Sequence, residues 1–333
     1  MTLRFKTNLL EHAKAVGVWA KARGAQTSID AIDLSLTLRL GEREITLRPQ
    51  FVGKRDGRQL VYFDIPDRFA QGLVGWLPHP PQAWDLSLSK LTFKAAACEL
   101  GLLTPTRWAR LADIDAPFIV KRVRGAFGYG MQGPFLSGDA ANLTLADGEF
   151  CEAFLWGRIA RAWYWRGQLA VLELFAMPMV TGDGVSSYEG LLRRASTEVP
   201  EDFATIARLQ GVAPADVPPA GTAIACDYRY VSPFNPTLYA NANLLPRLRG
   251  SVLAERFADA GRRLWPRIPG PPSQQVGFAL DAIVDAHDQP WFLEVNSNPQ
   301  GHPDVYAPML DGLFGLSAAS GAVEAKNDAG RDG

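Results

Sequence analysis

The chain carries 34 basic and 35 acidic residues among 333, with 47% apolar and 21% charged side chains. That length and composition predict a globular protein of two or three structural units, with enough apolar surface for sizeable cores. The formal net charge of -1 excludes a broad nucleic-acid surface, which needs a clear basic excess, and no apolar run approaches the roughly 20 residues of a membrane span.

Residues 7–24 predict an amphipathic helix, because Leu9, Leu10, Ala13, Val16 and Ala20 recur at helical spacing and Gly24 stands where a C-terminal cap belongs. Alternating segments beginning at Ile32, Glu44 and Gln59 predict short strands, with a tight turn at Gly41-Glu42. Residues 1–86 therefore read as a small α/β unit. Lys90 to Gly101 predicts a helix ending at a glycine, and Pro117-Phe-Ile-Val-Lys121 a buried strand entering a glycine-rich loop. Phe150 to Leu155 predicts a further strand, followed by a pair, Ala160–Trp165 and Gln168–Leu174, turning at Arg166-Gly167. Residues 200–220, rich in Pro and Ala, predict an exposed excursion. Ser251 to Arg263 predicts a helix with Leu253, Phe257 and Ala260 on one face, and Val276–Asp285 with Trp291–Asn296 a hairpin. The stretch from Ser317 onward, rich in Ala, Gly and Asp, predicts a disordered tail.

The strongest chemical signal lies in that hairpin. Side chains alternate along a strand, so Glu294 and Asn296 share a face, and the hairpin can bring Asp281 beside them. Two carboxylates and an amide oxygen form an oxygen-only donor set, which suits magnesium rather than zinc. Solvent-facing acids on an antiparallel hairpin are the competing explanation. The near-continuous apolar neighbours, Ala282 to Val284 and Phe292, Leu293 and Val295, weigh against it, because a strand covered on both faces carries acids only where something pairs with them. A second signal is the run from Lys121 to Met131, in which a strand lysine precedes Gly125, Gly128 and Gly130. Glycines let backbone N–H groups approach phosphate oxygens, and a lysine sets a point charge on them. No Gly-Lys-Ser/Thr follows, so this is not a Walker A loop; taken alone, a glycine-rich hairpin turn is the better explanation.

Together these segments resemble the ATP-grasp superfamily, most closely the branch of cyanophycin synthetase, the bifunctional glutathione synthetases and D-alanine–D-alanine ligase. Lys90-Leu-Thr-Phe-Lys-Ala-Ala-Ala-Cys-Glu-Leu-Gly is similar to the family's entry helix, Phe150-Cys-Glu-Ala-Phe-Leu-Trp-Gly to its adenine hinge, and Thr181-Gly-Asp-Gly to a segment of the cyanophycin and glutathione branch. The interval of 13 residues from Asp281 to Glu294 also matches. The resemblance implies an α+β chain: an ATP-grasp fold over residues 87–316, two α/β subdomains gripping ATP with a lid near 115–155, after a pre-ATP-grasp-like domain at 1–86.

It further implies an ATP-dependent carboxylate–amine ligase acting through an acyl phosphate, with small-molecule carboxylate and amine substrates such as an amino acid or peptide. ATP and Mg²⁺ would be its cofactors, Mn²⁺ being an alternative ion. Lys90 and Lys121 would face the α- and β-phosphates under the loop of Gly125, Gly128 and Gly130. Glu152 would accept from the adenine amino group, and the backbone of Ala153 and Leu155 would line the adenine slot. Arg161 matches an arginine near the substrate pocket, and Asp281, Glu294 and Asn296 fall at the metal ligands. Relatives often dimerise, so a homodimer is compatible with the resemblance; nucleic acid and membrane partners are not expected.

The departures are specific. Arg158, Ile159 and Ala160 replace the usual ribose acid, Ala279 stands where dipeptide ligases carry an arginine, and the usual Asn-x-x-x-Gly-Gly segment is absent. Arg229 is the cation expected to stand in at the transferring phosphoryl group, a structural salt bridge being the alternative. A nucleotide-binding protein without ligase chemistry and a phosphotransferase are the rival functions. His12, His79, His287 and His302 are scattered, and strand packing accounts for Trp156, Trp163, Tyr164 and Trp165. Cys98, Cys151 and Cys226 show no CxxC pattern and are odd in number, which points to a reducing cytoplasm, and Met1 to Asn8 lacks the apolar core of a secretory leader.

Overall fold

The computed structural model describes residues 8–55, 59–65, 68, 70–125, 130–229, 232, 234, 242–270 and 275–316. Gly128, the expected tail at 317–333 and much of the segment after Arg229 lie outside the described residues.

The chain is α+β. Helix α1 (Asn8–Arg23) leads into a five-stranded antiparallel sheet of β1 (Gln26–Ile29), β2 (Leu36–Leu40), β3 (Arg43–Arg55), β4 (Gln59–Phe63) and β5 (Ala70–Leu77), the last pairing with β3. The stripe that α1 buries overlaps the expected one: Leu9 and Leu10 are exposed, while His12 and Trp19 join the expected Val16 and Ala20 inside. Those four follow i, i+4, i+7 and i+8, a regular helical stripe that contains a polar residue.

The C-terminal helix closes this core. After α2 (Asp85–Leu88), α3 (Lys90–Glu99), α4 (Tyr188–Ala195), α5 (Phe203–Arg208), α6 (Leu245–Leu248) and α7 (Val252–Leu264), helix α8 (Tyr306–Phe314) returns to pack on α1. Trp19 stacks on Phe314, and Asp311 accepts from Trp19 Nε1 at 2.9 Å and Arg23 Nη2 at 2.7 Å.

Between α1 and α8 lies His12, 1% exposed. Tyr306 Oη accepts from the Trp76 N–H at 2.9 Å and shares a 2.8 Å hydrogen bond with His12 Nδ1. Burial, aided by His302, pulls the His12 imidazole down to about 4. As pH falls the unfolded chain takes up this proton first, so the stability is complete above the ordinary histidine value of 6.5 and declines on the way to 4. Between pH 7.5 and pH 5 His12 should account for about 2 kcal/mol of lost stability. Urea unfolding of His12→Gln, which keeps an acceptor for Tyr306 but cannot titrate, should show a correspondingly shallower pH dependence; parallel curves would remove His12 as the cause.

The central sheet runs β11 (Gln168–Phe175), β10 (Arg158–Trp165), β14 (Gly277–Val284), β15 (Pro290–Asn296). One face carries Ala160, Ala162, Tyr164, Leu172, Phe278, Leu280 and Ala282, which form a core with Phe93 and Ala97 of α3 and Leu253, Phe257 and Ala260 of α7. A smaller sheet, β6 (Arg107–Trp108), β9 (Glu149–Ala153), β7 (Phe118–Arg122), β8 (Gln132–Phe135), has its own core of Phe118, Val120 and Cys151.

The expected excursion at 200–220 is a correction. Helix α5 buries Ile206 and Ala207, and Ala207 packs with Val180, Tyr188, Leu192 and Cys226 around the ribbon of β12 (Met179–Thr181) and β13 (Ala223–Ala225). Pro-rich composition describes the loop after α5, yet the short helix itself has apolar residues enough to close a small core.

Candidate active site

The opposite face of the central sheet carries a row of charges, one from each strand. Arg161 on β10 stands directly opposite Glu173 on β11 and Asp281 on β14, and Asp281 stands opposite Glu294 on β15. Directly opposed residues have Cβ atoms about 5 Å apart, so register alone makes these side chains neighbours. Arg161 holds Asp281 with both arms, Nε to Oδ1 at 2.6 Å and Nη2 to Oδ2 at 2.8 Å. Asn296 Nδ2 donates to Asp281 Oδ2 at 3.1 Å. Lys90, at the start of α3, ends the row with Nζ 2.7 Å from Glu294 Oε2.

A β-bulge sets this geometry. The register of β14 against β15 shifts between Asp281 and Ala282, leaving Leu293 as the extra residue beside Glu294. Phe292 and Val295 can then both enter the core shared with α7 while Glu294 and Asn296 face the row. The expected metal trio is thus brought together, and its donors are of the hard oxygen type that magnesium takes. Two carboxylates supply it; among the described residues no group of three or more His, Cys, Asp or Glu side chains gathers.

A second cluster lies one helical turn along α3. Glu152 on β9 is 1% exposed and is gripped by Lys94 Nζ at 2.8 Å and by Lys121 Nζ. Burial by itself would push this carboxyl up, but the ammonium groups of Lys121 and Lys94 outweigh it and hold Glu152 below the usual carboxylate range. Lys90 also donates to the Gly125 carbonyl at 2.7 Å, so the glycine-rich loop and Glu294 share one ammonium group. Gly130 sits at φ +74°, a left-handed conformation that favours glycine. Ala153 ends β9, its N–H donating to the Thr106 carbonyl at 2.8 Å, and Leu155 follows two residues on.

Arg229 is placed elsewhere. Its guanidinium pairs with Asp202 and, at 3.0 Å, with Asp227, and lies 4.9 Å from the Tyr228 ring centroid. These partners belong to the ribbon unit, which Tyr228 ties to β8 of the smaller sheet through a hydrogen bond to the Gly133 carbonyl at 2.7 Å.

Sequence reasoning missed four neighbours of the site. Lys94 was legible as a lysine four residues after Lys90 on one helix. Glu173 and His302 were not, because only the register and the return of the chain toward α8 place them: Glu173 is 4% exposed, with His302 Nε2 at 3.5 Å. Burial, reinforced by Asp281 and opposed by Arg161, pushes Glu173 up to about 7. Tyr62 of β4 is the fourth. Burial raises its hydroxyl, with Arg161 lowering and Glu294 raising it.

No family model and no curated protein matches the chain. Among solved structures it is similar to a bifunctional glutathione synthetase from Pasteurella multocida, at 13% identity over 92% of this chain and 44% of that one, with a TM-score of 0.43. It is also similar to an L-amino acid ligase from Bacillus licheniformis (14%, 63% and 40%, TM-score 0.32) and a D-alanine–D-alanine ligase from Helicobacter pylori (13%, 68% and 61%, TM-score 0.37). The chain spans less than half the length of the first two.

Proposed function

We infer that this chain is an ATP-grasp enzyme that joins a carboxylate to an amine, with an amino acid or peptide among its substrates. The observation that carries the reading is the position of Lys90, bonded at once to Glu294 of the acid row and to the Gly125 carbonyl of the glycine-rich loop. A triphosphate laid across that contact would meet ammonium groups from α3 and β7, glycine backbone above, and oxygen donors below.

In this reading the backbone of Ala153 and Leu155 lines the adenine slot. Lys90 and Lys121 offset phosphate charge, and Glu152, expected to accept from the adenine amino group, instead has one oxygen on Lys94 and the other on Lys121 and serves as their counter-ion. Asp281, Glu294 and Asn296 would hold magnesium, which would supply positive charge to neutralise the phosphates. Arg161, in the middle of the row, is the cation proposed to meet an acceptor carboxylate. The chemistry the residues perform is positioning and charge neutralisation for phosphoryl transfer to that carboxylate. An amine then attacks the acyl carbon, the C–N bond forms, the C–O bond to phosphate breaks, and ADP and phosphate are the by-products.

Hydroxylamine trapping over a panel of amino acids tests this. With Mg-ATP and the right acid, a hydroxamate should accumulate in proportion to ADP. ADP formation with a stable phosphoester would make the protein a phosphotransferase, and nucleotide binding without turnover would remove the ligase reading.

A further inference from the structure

The row poses a problem for its own metal ligand. Both oxygens of Asp281 accept from the Arg161 guanidinium, at 2.6 and 2.8 Å. A divalent cation on Asp281 would stand within a few ångströms of that fixed positive charge, so metal and guanidinium compete for one carboxylate. On the opposite flank of Arg161, directly across the β10–β11 ladder, lies a second carboxylate, Glu173, 4% exposed. A buried acid beside an arginine that faces the other way calls for a reason.

We propose that Glu173 is a positioning residue that receives the Arg161 guanidinium when a divalent cation takes Asp281. This inference rests on the metal reading of Asp281, Glu294 and Asn296 given above. Arg161 occupies the middle of three adjacent strands, with one acid on each side at cross-strand distance, so a side-chain rotation moves it from one to the other without backbone change. Without metal, Arg161 and Lys90 neutralise Asp281 and Glu294. With metal, Glu173 neutralises the displaced Arg161, and Trp163, whose ring centroid lies 6.0 Å from the guanidinium, is a wall along which it turns. His302, with Nε2 at 3.5 Å from Glu173, keeps the buried end of the row polar.

The test is Mn²⁺ affinity, read as loss of the free-ion paramagnetic signal, on the full chain at pH 8 with a saturating non-hydrolysable ATP analogue. Glu173→Gln should weaken Mn²⁺ binding about tenfold, and Glu173→Asp should restore most of it. Arg161→Met should tighten binding, and in that background Glu173→Gln should have no further effect, because no guanidinium needs the second carboxylate. An equal loss from Glu173→Gln with and without Arg161, or no loss at all, overturns the proposal and leaves the metal reading intact. No saturable Mn²⁺ binding by the unaltered chain overturns the metal reading, and this proposal with it. Should Glu173→Gln fail to fold, the Arg161→Met comparison decides: weaker or unchanged Mn²⁺ affinity rules the exchange out.

Discussion

Asp281→Asn should lower the rate of ADP formation by about 10²–10³-fold, the cost of removing one preorganised charge from a site that stabilises a transferring phosphoryl group. Asparagine keeps the shape and can still accept from Arg161, so the fold should persist. What disappears is the negative charge that the proposed site offers to a cation, at the centre of a row in which Arg161, Asn296 and Glu294 all converge on this position. Initial rates of ADP release at saturating ATP measure it. Asp288→Asn is the control: Asp288 pairs with Arg158 at the surface, and exposed pairs contribute about 0–1 kcal/mol, so its rate should stay within about twofold of the parent. A drop of less than tenfold for Asp281→Asn would mean that the row is structural and that the phosphoryl-transfer centre lies elsewhere.

Lys94→Met should destabilise the chain by about 3 kcal/mol. The pair is deeply buried, with side-chain exposures of 8% for Lys94 and 1% for Glu152. Breaking such a pair by removing one partner leaves a charge without compensation, a change that costs about 3–5 kcal/mol; the remaining Lys121 contact places the expected value at the low end. Methionine fills the volume of the lysine stem, so the loss is electrostatic rather than a cavity. The double variant Lys94→Met/Glu152→Gln should recover part of it: the buried carboxylate is gone, and the Lys121 ammonium that it leaves unpaired is 12% exposed. Denaturant unfolding of the single and double variants measures this, with Arg39→Met, whose Glu44 partner is exposed, as a near-neutral reference. If the double variant is as unstable as the single, the cost is one of packing and the Lys94–Glu152 charge pair is not what holds α3 against β9.

Much of the local architecture was readable in the residues. The helices at α1, α3 and α7, the strands β7, β9, β10 and β11, and the hairpin β14–β15 follow from apolar period and from glycines at their ends. The same reasoning brought Asp281, Glu294 and Asn296 to one surface, because strand alternation is a local rule. It placed Val16 and Ala20 inward, where they are, but took the exposed Leu9 and Leu10 with them and passed over His12, because His12 is polar and its hydrogen bond to the Tyr306 hydroxyl lies outside the local sequence. It also treated 200–220 as an excursion, although α5 buries its apolar side against elements of the ribbon unit.

Chain-local physics therefore settled which segments are helix or strand and which carry oxygen donors, lysines and glycines, since propensity and periodicity act over a few residues. Register and long-range packing settled the rest. Glu173 meets Arg161 only through the β10–β11 ladder, the Leu293 bulge turns Glu294 toward the row, and Lys94 becomes a partner of Glu152 only when α3 lies against β9. Charges separated by scores of residues interact at a few ångströms and not along the chain, so the pairing of these groups is a property of the folded sheet.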